Sequence, residues 1–136
     1  MFTLHDQLRR DTLPVCRMKL CLVQLMNDAQ YPWLVLIPAV ENITEIHELN
    51  EKQRKLLINE IAQTQRVLQH CFEPHKLNVG ALGNMVPQLH VHVVARFRED
   101  PAWPGPIWGK LPARPYEDTA LRSAIARLQN AFITRV

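Results

Sequence analysis

Val86-Pro87-Gln88-Leu89-His90-Val91-His92-Val93-Val94-Ala95-Arg96 alternates apolar and polar residues with a period of two, and β-branched valines fill it. The pattern predicts one β-strand over residues 86–96. Leu89, Val91, Val93 and Ala95 then share one face, and Gln88, His90, His92, Val94 and Arg96 the other. Two imidazoles and a carboxamide stand in a row on that second face, each roughly 7 Å from the next. These groups donate, accept and, for His, titrate near neutral pH, and the strand holds them rigid.

Three readings of this His-x-His pair stand side by side. The face is inert and the histidines are merely satisfied. The pair binds a metal, which needs a third ligand; no Cys or acidic residue lies nearby in sequence, and His70 and His75 belong to another segment. Or one imidazole is a nucleophile, with its neighbours holding a phosphate in covalent catalysis through nitrogen.

Outward from this stretch, Gly83-Asn84 leads a tight loop into it, preceded by a strand over residues 76–82. Gly80 and Gly83 permit close approach of backbone to a ligand. Further back, residues 15–26 read as a strand, Asn27 to Pro32 as a turn and Trp33 to Ile37 as the returning strand of a hairpin. Asn50-Glu51-Lys52-Gln53 reads as a helix start with Asn as N-cap, and Leu57, Ile61, Leu68 and Phe72 carry a helical apolar face to residue 72. A short helix or arm is expected over residues 4–13, with His5 at the surface, and one helical turn near residues 44–47. A last helix, over about 118–134, has an apolar stripe of Leu121, Ala124, Ile125, Leu128, Ala131 and Phe132. Residues 100–109 hold two tryptophans, three prolines and two glycines. Trp103 and Trp108 either cover a ligand or partner, or plug the core.

Taken together, Gln88-Leu89-His90-Val91-His92-Val93-Val94 resembles the signature of the histidine triad (HIT) family, His-φ-His-φ-His-φ-φ with φ apolar. Gln88 stands where the first histidine would be. Leu25 to Asp28 with Pro32 to Pro38 resembles the family's strand–turn–strand at the nucleoside pocket, and Gly83 to Pro87 its segment before the triad. The stretch after Arg96 resembles one found in a bacterial branch that also carries Gln at the first position. The resemblance covers most of residues 15–98. It implies an α+β, HIT-like fold: a mainly antiparallel sheet, one long central helix and a C-terminal helix. It also implies substitution at the α-phosphate of a nucleotide conjugate, either a dinucleoside polyphosphate or a nucleoside phosphoramidate. His90 would be the nucleophile, His92 and Asn84 would hold phosphate oxygens, Gln88 would shape the same network, and Asn27 and Asp28 would contact the ribose. Asn27 equally suits a plain turn; Gly83-Asn84 can also be a plain turn dipeptide, but its place before the histidine strand favours the functional reading. No cofactor or metal is required, and a homodimer is expected. The competing expectation is a non-catalytic nucleotide-binding or sensing module.

Composition fits these expectations. The 136 residues suffice for a single domain, with a core over 15–98, a Trp/Pro-rich loop over 100–115 and the final helix. Apolar residues make up 47% and charged residues 21%, as in an ordinary globular chain. The net charge of +3 is scattered, which argues against a nucleic-acid groove. No apolar run approaches the ~20 residues of a membrane span. Three cysteines without metal spacing, and no signal-type N-terminus, lead to the expectation of a reducing, cytoplasmic setting.

Overall fold

Five strands carry the alternation, in the spatial order β1-β2-β3-β5-β4 and antiparallel throughout. The computed structural model describes all 136 residues. In chain order, α1 (Asp6–Asp11) runs directly into β1 (Thr12–Arg17), followed by β2 (Cys21–Met26) and β3 (Trp33–Pro38). A 3₁₀ turn (Ile46–Glu48) precedes the long α2 (Glu51–Phe72). Then come β4 (Lys76–Gly80), β5 (Val91–Arg96) and α3 (Asp118–Thr134). The fold is the expected α+β sheet with a long helix and a C-terminal helix.

The start of α2 follows the sequence closely. The Asn50 side chain accepts from the Gln53 backbone N–H at 2.8 Å, and Gln53 Oε1 accepts from the Asn50 N–H at 2.9 Å. Two otherwise orphaned donors are satisfied reciprocally. The helix closes at Glu73, whose φ of 50° is left-handed, and Pro74 prevents its continuation.

Two expected strands are corrected. Residues 15–26 are not one strand but parts of two, β1 and β2, joined by a tight turn at Met18-Lys19-Leu20. The Met18 N–H bonds the Cys21 carbonyl at 2.8 Å, and the buried Glu60 carboxylate of α2 takes the Leu20 and Cys21 N–H groups at 2.9 Å each. Cys16, Met18, Leu20 and Leu22 alternate with Arg17 and Lys19 straight through the turn and hid it, because the Glu60 carboxylate that takes its N–H groups lies 40 positions away. The second correction concerns the decisive stretch: its strand begins at Val91, not Val86. Partners run out there, with Leu36 opposite Val91 and Gly80 opposite His92. Pro87 has no N–H, and the Leu89 N–H goes to the Ile43 carbonyl.

One sheet face carries the main core. Val23, Leu25, Leu34, Leu36, Val91, Val93 and Ala95 pack with Leu57, Val67 and Leu68 of α2 and Leu128, Ala131 and Phe132 of α3. The C-terminal stripe is thus spent on packing, as its periodicity indicates. The opposite face carries Val35 and Ile37 under α1, and Val94 under Tyr31, Ala102 and Ile107. Both histidines of β5 and its approach emerge on this second side.

Candidate active site

His90 and His92 are both buried, with ring centroids 4.9 Å apart and planes at 75°. The preceding turn and β5 deliver them to the wall of a cavity of about 680 Å³. Asn27, Asp28, Asn84, Trp33 and Trp108 line the same cavity. Of the six residues singled out in the sequence, five therefore converge. Gln88 is the exception and is not among the walls.

Hydrogen-bond partners fix both imidazole tautomers. His90 Nδ1 lies 2.7 Å from the Gln88 backbone carbonyl. A carbonyl oxygen only accepts, so Nδ1 carries the proton and Nε2 of the neutral ring keeps its lone pair. His92 is arranged in the opposite sense. The Trp33 indole N–H donates to His92 Nδ1 at 2.9 Å. An indole N–H only donates, so the proton of neutral His92 sits on Nε2. One ring offers a free lone pair and the next an N–H donor. Burial, with His90 adding to it, pushes the His92 pKa down to about 4, so His92 is neutral at pH 7.

Trp33 reaches His92 because β3 and β5 pair with Val35 opposite His92 and Trp33 opposite Val94. Trp33 and His92 are therefore diagonal neighbours on one face, a span that an aromatic side chain covers. On the other flank Gly80 pairs with His92. A Cβ at Gly80 would stand 3.1 Å from Trp108, so the missing side chain is what lets the indole lie there, 5.5 Å from the His92 ring. What approaches the Gly80 backbone is thus Trp108 itself. Gly83 does adopt the left-handed φ of 70° that its turn needs.

Asn27 and Asp28 have partly structural tasks. Asn27 Oδ1 accepts from the Tyr116 N–H at 2.9 Å, which leaves its amide NH₂ for the cavity. Asp28, 3% exposed, accepts from the Gln30 backbone and side chain at 3.0 Å each and so closes the turn after β2. Asn84 is exposed at the rim, with no side-chain partner within the protein.

The Trp/Pro-rich loop resolves into two parts. Its buried plugs are Ala102 and Ile107, not the tryptophans. Trp108 forms cavity wall, while Trp103 lies over the Arg96 guanidinium at 5.6 Å. Arg96, 1% exposed, holds the Asp100 carboxylate through Nε at 2.8 Å and a second nitrogen at 3.1 Å. It also donates to Asn78 Oδ1 and to the Gly105 carbonyl, each at 2.8 Å. Asp100 in turn caps the Phe97, Ala102 and Trp103 N–H groups; against its burial, the Arg96 guanidinium, with the Phe97 and Trp103 N–H groups, holds its pKa below the usual carboxylate range.

Sequence reading missed the roles of Trp33, Trp108 and the Arg96–Asp100 pair. Alternation alone placed Arg96 on the histidine face but gave no partner. No other His, Cys, Asp or Glu joins the two histidines in a group that could hold a metal. His5 is half-buried, where a surface residue was expected, and caps α1 through Nδ1.

The molecule is thus an α+β domain whose antiparallel sheet presents neighbouring histidines of fixed tautomer at a cavity. The HIT domain family model matches residues 8–99, and the chain belongs to that family. A histidine triad protein from Marinobacter aquaeolei is 44% identical over 100% of this chain and 99% of its own, with a TM-score of 0.96. One from Sinorhizobium meliloti is 42% identical over 95% of this chain and 96% of its own (TM-score 0.92). One from Bradyrhizobium japonicum is 40% identical with the same coverage of each chain (TM-score 0.93). No curated protein matches by sequence. No helix is long and apolar enough to cross a membrane.

Proposed function

We propose that this chain acts on the α-phosphate of a nucleotide conjugate through a covalent nucleotidyl-His90. Membership of the HIT family supports a nucleotide-binding, hydrolase-type role. The observation that carries the finer reading is the pair of fixed tautomers at one cavity wall. His90 Nε2 attacks phosphorus, an N–P bond forms, and the bond to the leaving group breaks. The leaving group departs with the electron pair and takes up a proton. Nδ1–H stays bonded to the Gln88 carbonyl, which offsets the positive charge that the nucleotidylated ring acquires. His92 Nε2–H and the Asn84 amide donate to the non-bridging oxygens, where charge accumulates. Water then attacks the same phosphorus, the N–P bond breaks, and the nucleoside monophosphate leaves with His90 restored. The free amide of Asn27 serves the ribose. Asp28 has less capacity for that, because it is buried and its Oδ1 already takes the Gln30 backbone and side chain.

The substrate class within this reading is a dinucleoside polyphosphate or a nucleoside phosphoramidate. A branch of the family with Gln at the first triad position, a homodimer and a cytoplasmic setting belong to the same proposal. The test is intact-protein mass after mixing wild type and His90→Ala with adenosine and guanosine phosphoramidates and dinucleoside polyphosphates. A nucleoside-monophosphate adduct or product release with wild type alone supports the proposal. Nucleotide binding with neither adduct nor product overturns turnover and leaves a binding module.

A further inference from the structure

The side chain that departs from the triad has a partner of its own. Gln88 Nε2 donates to the Thr3 carbonyl at 2.9 Å, and Gln88 Oε1 accepts from the His5 N–H at 2.8 Å. The two partners fix which end of the amide is which, because a carbonyl only accepts and a backbone N–H only donates. The C=O of one residue and the N–H of the residue two further on project from the same side of an extended chain. A carboxamide that answers both takes the place of a neighbouring strand's peptide group. Gln88 thus docks the N-terminal arm, as a short stretch of sheet would. Around this junction Phe2 and Leu4 of the arm pack on the same apolar cluster as Val86 and Leu8.

The main chain of Gln88 looks the other way. Its carbonyl is the acceptor, at 2.7 Å, for the His90 Nδ1 proton. It lies in the irregular segment before β5, so no sheet ladder fixes it. Its surroundings are an exposed Pro87 on one side and the Leu89 N–H bond to Ile43 on the other. The amide docked on the arm is the third support.

We propose that Gln88 is a positioning residue: its carboxamide ties the N-terminal arm at Thr3 and His5 to the turn before β5, and this tie holds the Gln88 carbonyl where it sets the His90 tautomer. The inference rests on His90 being the nucleophile. Gln at this position then has no direct part in holding phosphate, and the N-terminal arm acts on the site only as a support, through its Thr3 carbonyl and His5 N–H.

Three variants separate this from a direct contact. Gln88→Glu keeps the shape and the acceptor for the His5 N–H, but it sets an oxygen against the Thr3 carbonyl. His5→Pro deletes only the N–H of the tie from the backbone, and φ at His5 is already −55°, which suits proline. His5→Ala removes the same α1 capping side chain while keeping that N–H. The first readout is the ¹⁵N imidazole spectrum of His90, which reports Nδ1–H against Nε2–H without any turnover. The second is kcat and KM on whichever conjugate labels His90. Gln88→Glu and His5→Pro should convert His90 from one tautomer to a mixture and lower kcat roughly 10- to 100-fold with KM nearly unchanged. His5→Ala should match wild type in both. A wild-type His90 spectrum in either of the first two, or a shifted one in His5→Ala, overturns the proposal. So does a Gln88→Glu effect confined to KM, which would indicate a phosphate contact. If wild type shows no turnover, the nucleotidyl-transfer reading fails, while the tautomer comparison still decides the role of Gln88.

Discussion

Replacing Trp33 by Phe removes one proton donor from the candidate site and keeps an aromatic ring in its place. His92, 5% exposed, would then carry a buried Nδ1 with nothing donating to it. Leaving such an acceptor unpaired costs about 1–3 kcal/mol, so Trp33→Phe should unfold at lower denaturant by that amount. The same hydrogen bond favours the neutral ring over the imidazolium, whose Nδ1–H would confront the indole N–H. About 1–1.5 kcal/mol of such preference equals roughly one pKa unit. Losing the donor should move the His92 pKa upward, with burial and His90 still holding it below the ordinary 6.5. An NMR titration of the His92 ring carbon-bound protons, with denaturant melts in parallel, measures both. A folded Trp33→Phe protein whose His92 still titrates near 4, with its proton still on Nε2, would refute the argument that the indole sets this ring.

Stability itself should carry the signature of His92. Below pH 6.5 the unfolded chain takes up a proton that the folded one refuses until about pH 4, so stability is full above 6.5 and falls through that window. The fall due to this residue is about 3 kcal/mol, read as the difference between denaturation curves of wild type and His92→Gln across those pH values. Asp100→Ala leaves the buried Arg96 guanidinium without its counter-charge and should cost about 3–5 kcal/mol in calorimetry or denaturant melts. Gly80→Val drives a side chain toward the Trp108 ring, whose nearest atom is 3.1 Å from a Cβ there. It should cost about 1–3 kcal/mol and weaken nucleotide binding, measured by calorimetric titration.

What is legible in the sequence is what neighbouring residues decide among themselves. Local signals survived: the Asn50–Gln53 capping box, the α3 stripe and the alternation over Val91 to Arg96 all depend on neighbours within a few residues. The cavity histidines were legible for the same reason, since period two sets their common face. What failed depended on distant partners. Glu60 reaching Leu20 and Cys21 marks the break between β1 and β2 in a stretch that alternates without interruption, and the end of partner strands trims β5 back to Val91. The Gln88 carboxamide stood in line with the histidines only if the strand extended to residue 86. Trp33 acquires its role only through the β3–β5 register, which no spacing in the chain reveals.

The Arg96–Asp100 knot has a consequence for how any ligand would be received. Asp100 organises the first turn of the loop that leads to Ile107 and Trp108, and Arg96 fastens that loop to β5 and, through Asn78, to β4. The start of the loop that carries the aromatic wall is thus tied to the sheet before anything enters, which lowers the conformational entropy that ordering the loop on binding would cost. A wall tied in this way favours a ligand that fits the contour it already has over one that needs the loop to move.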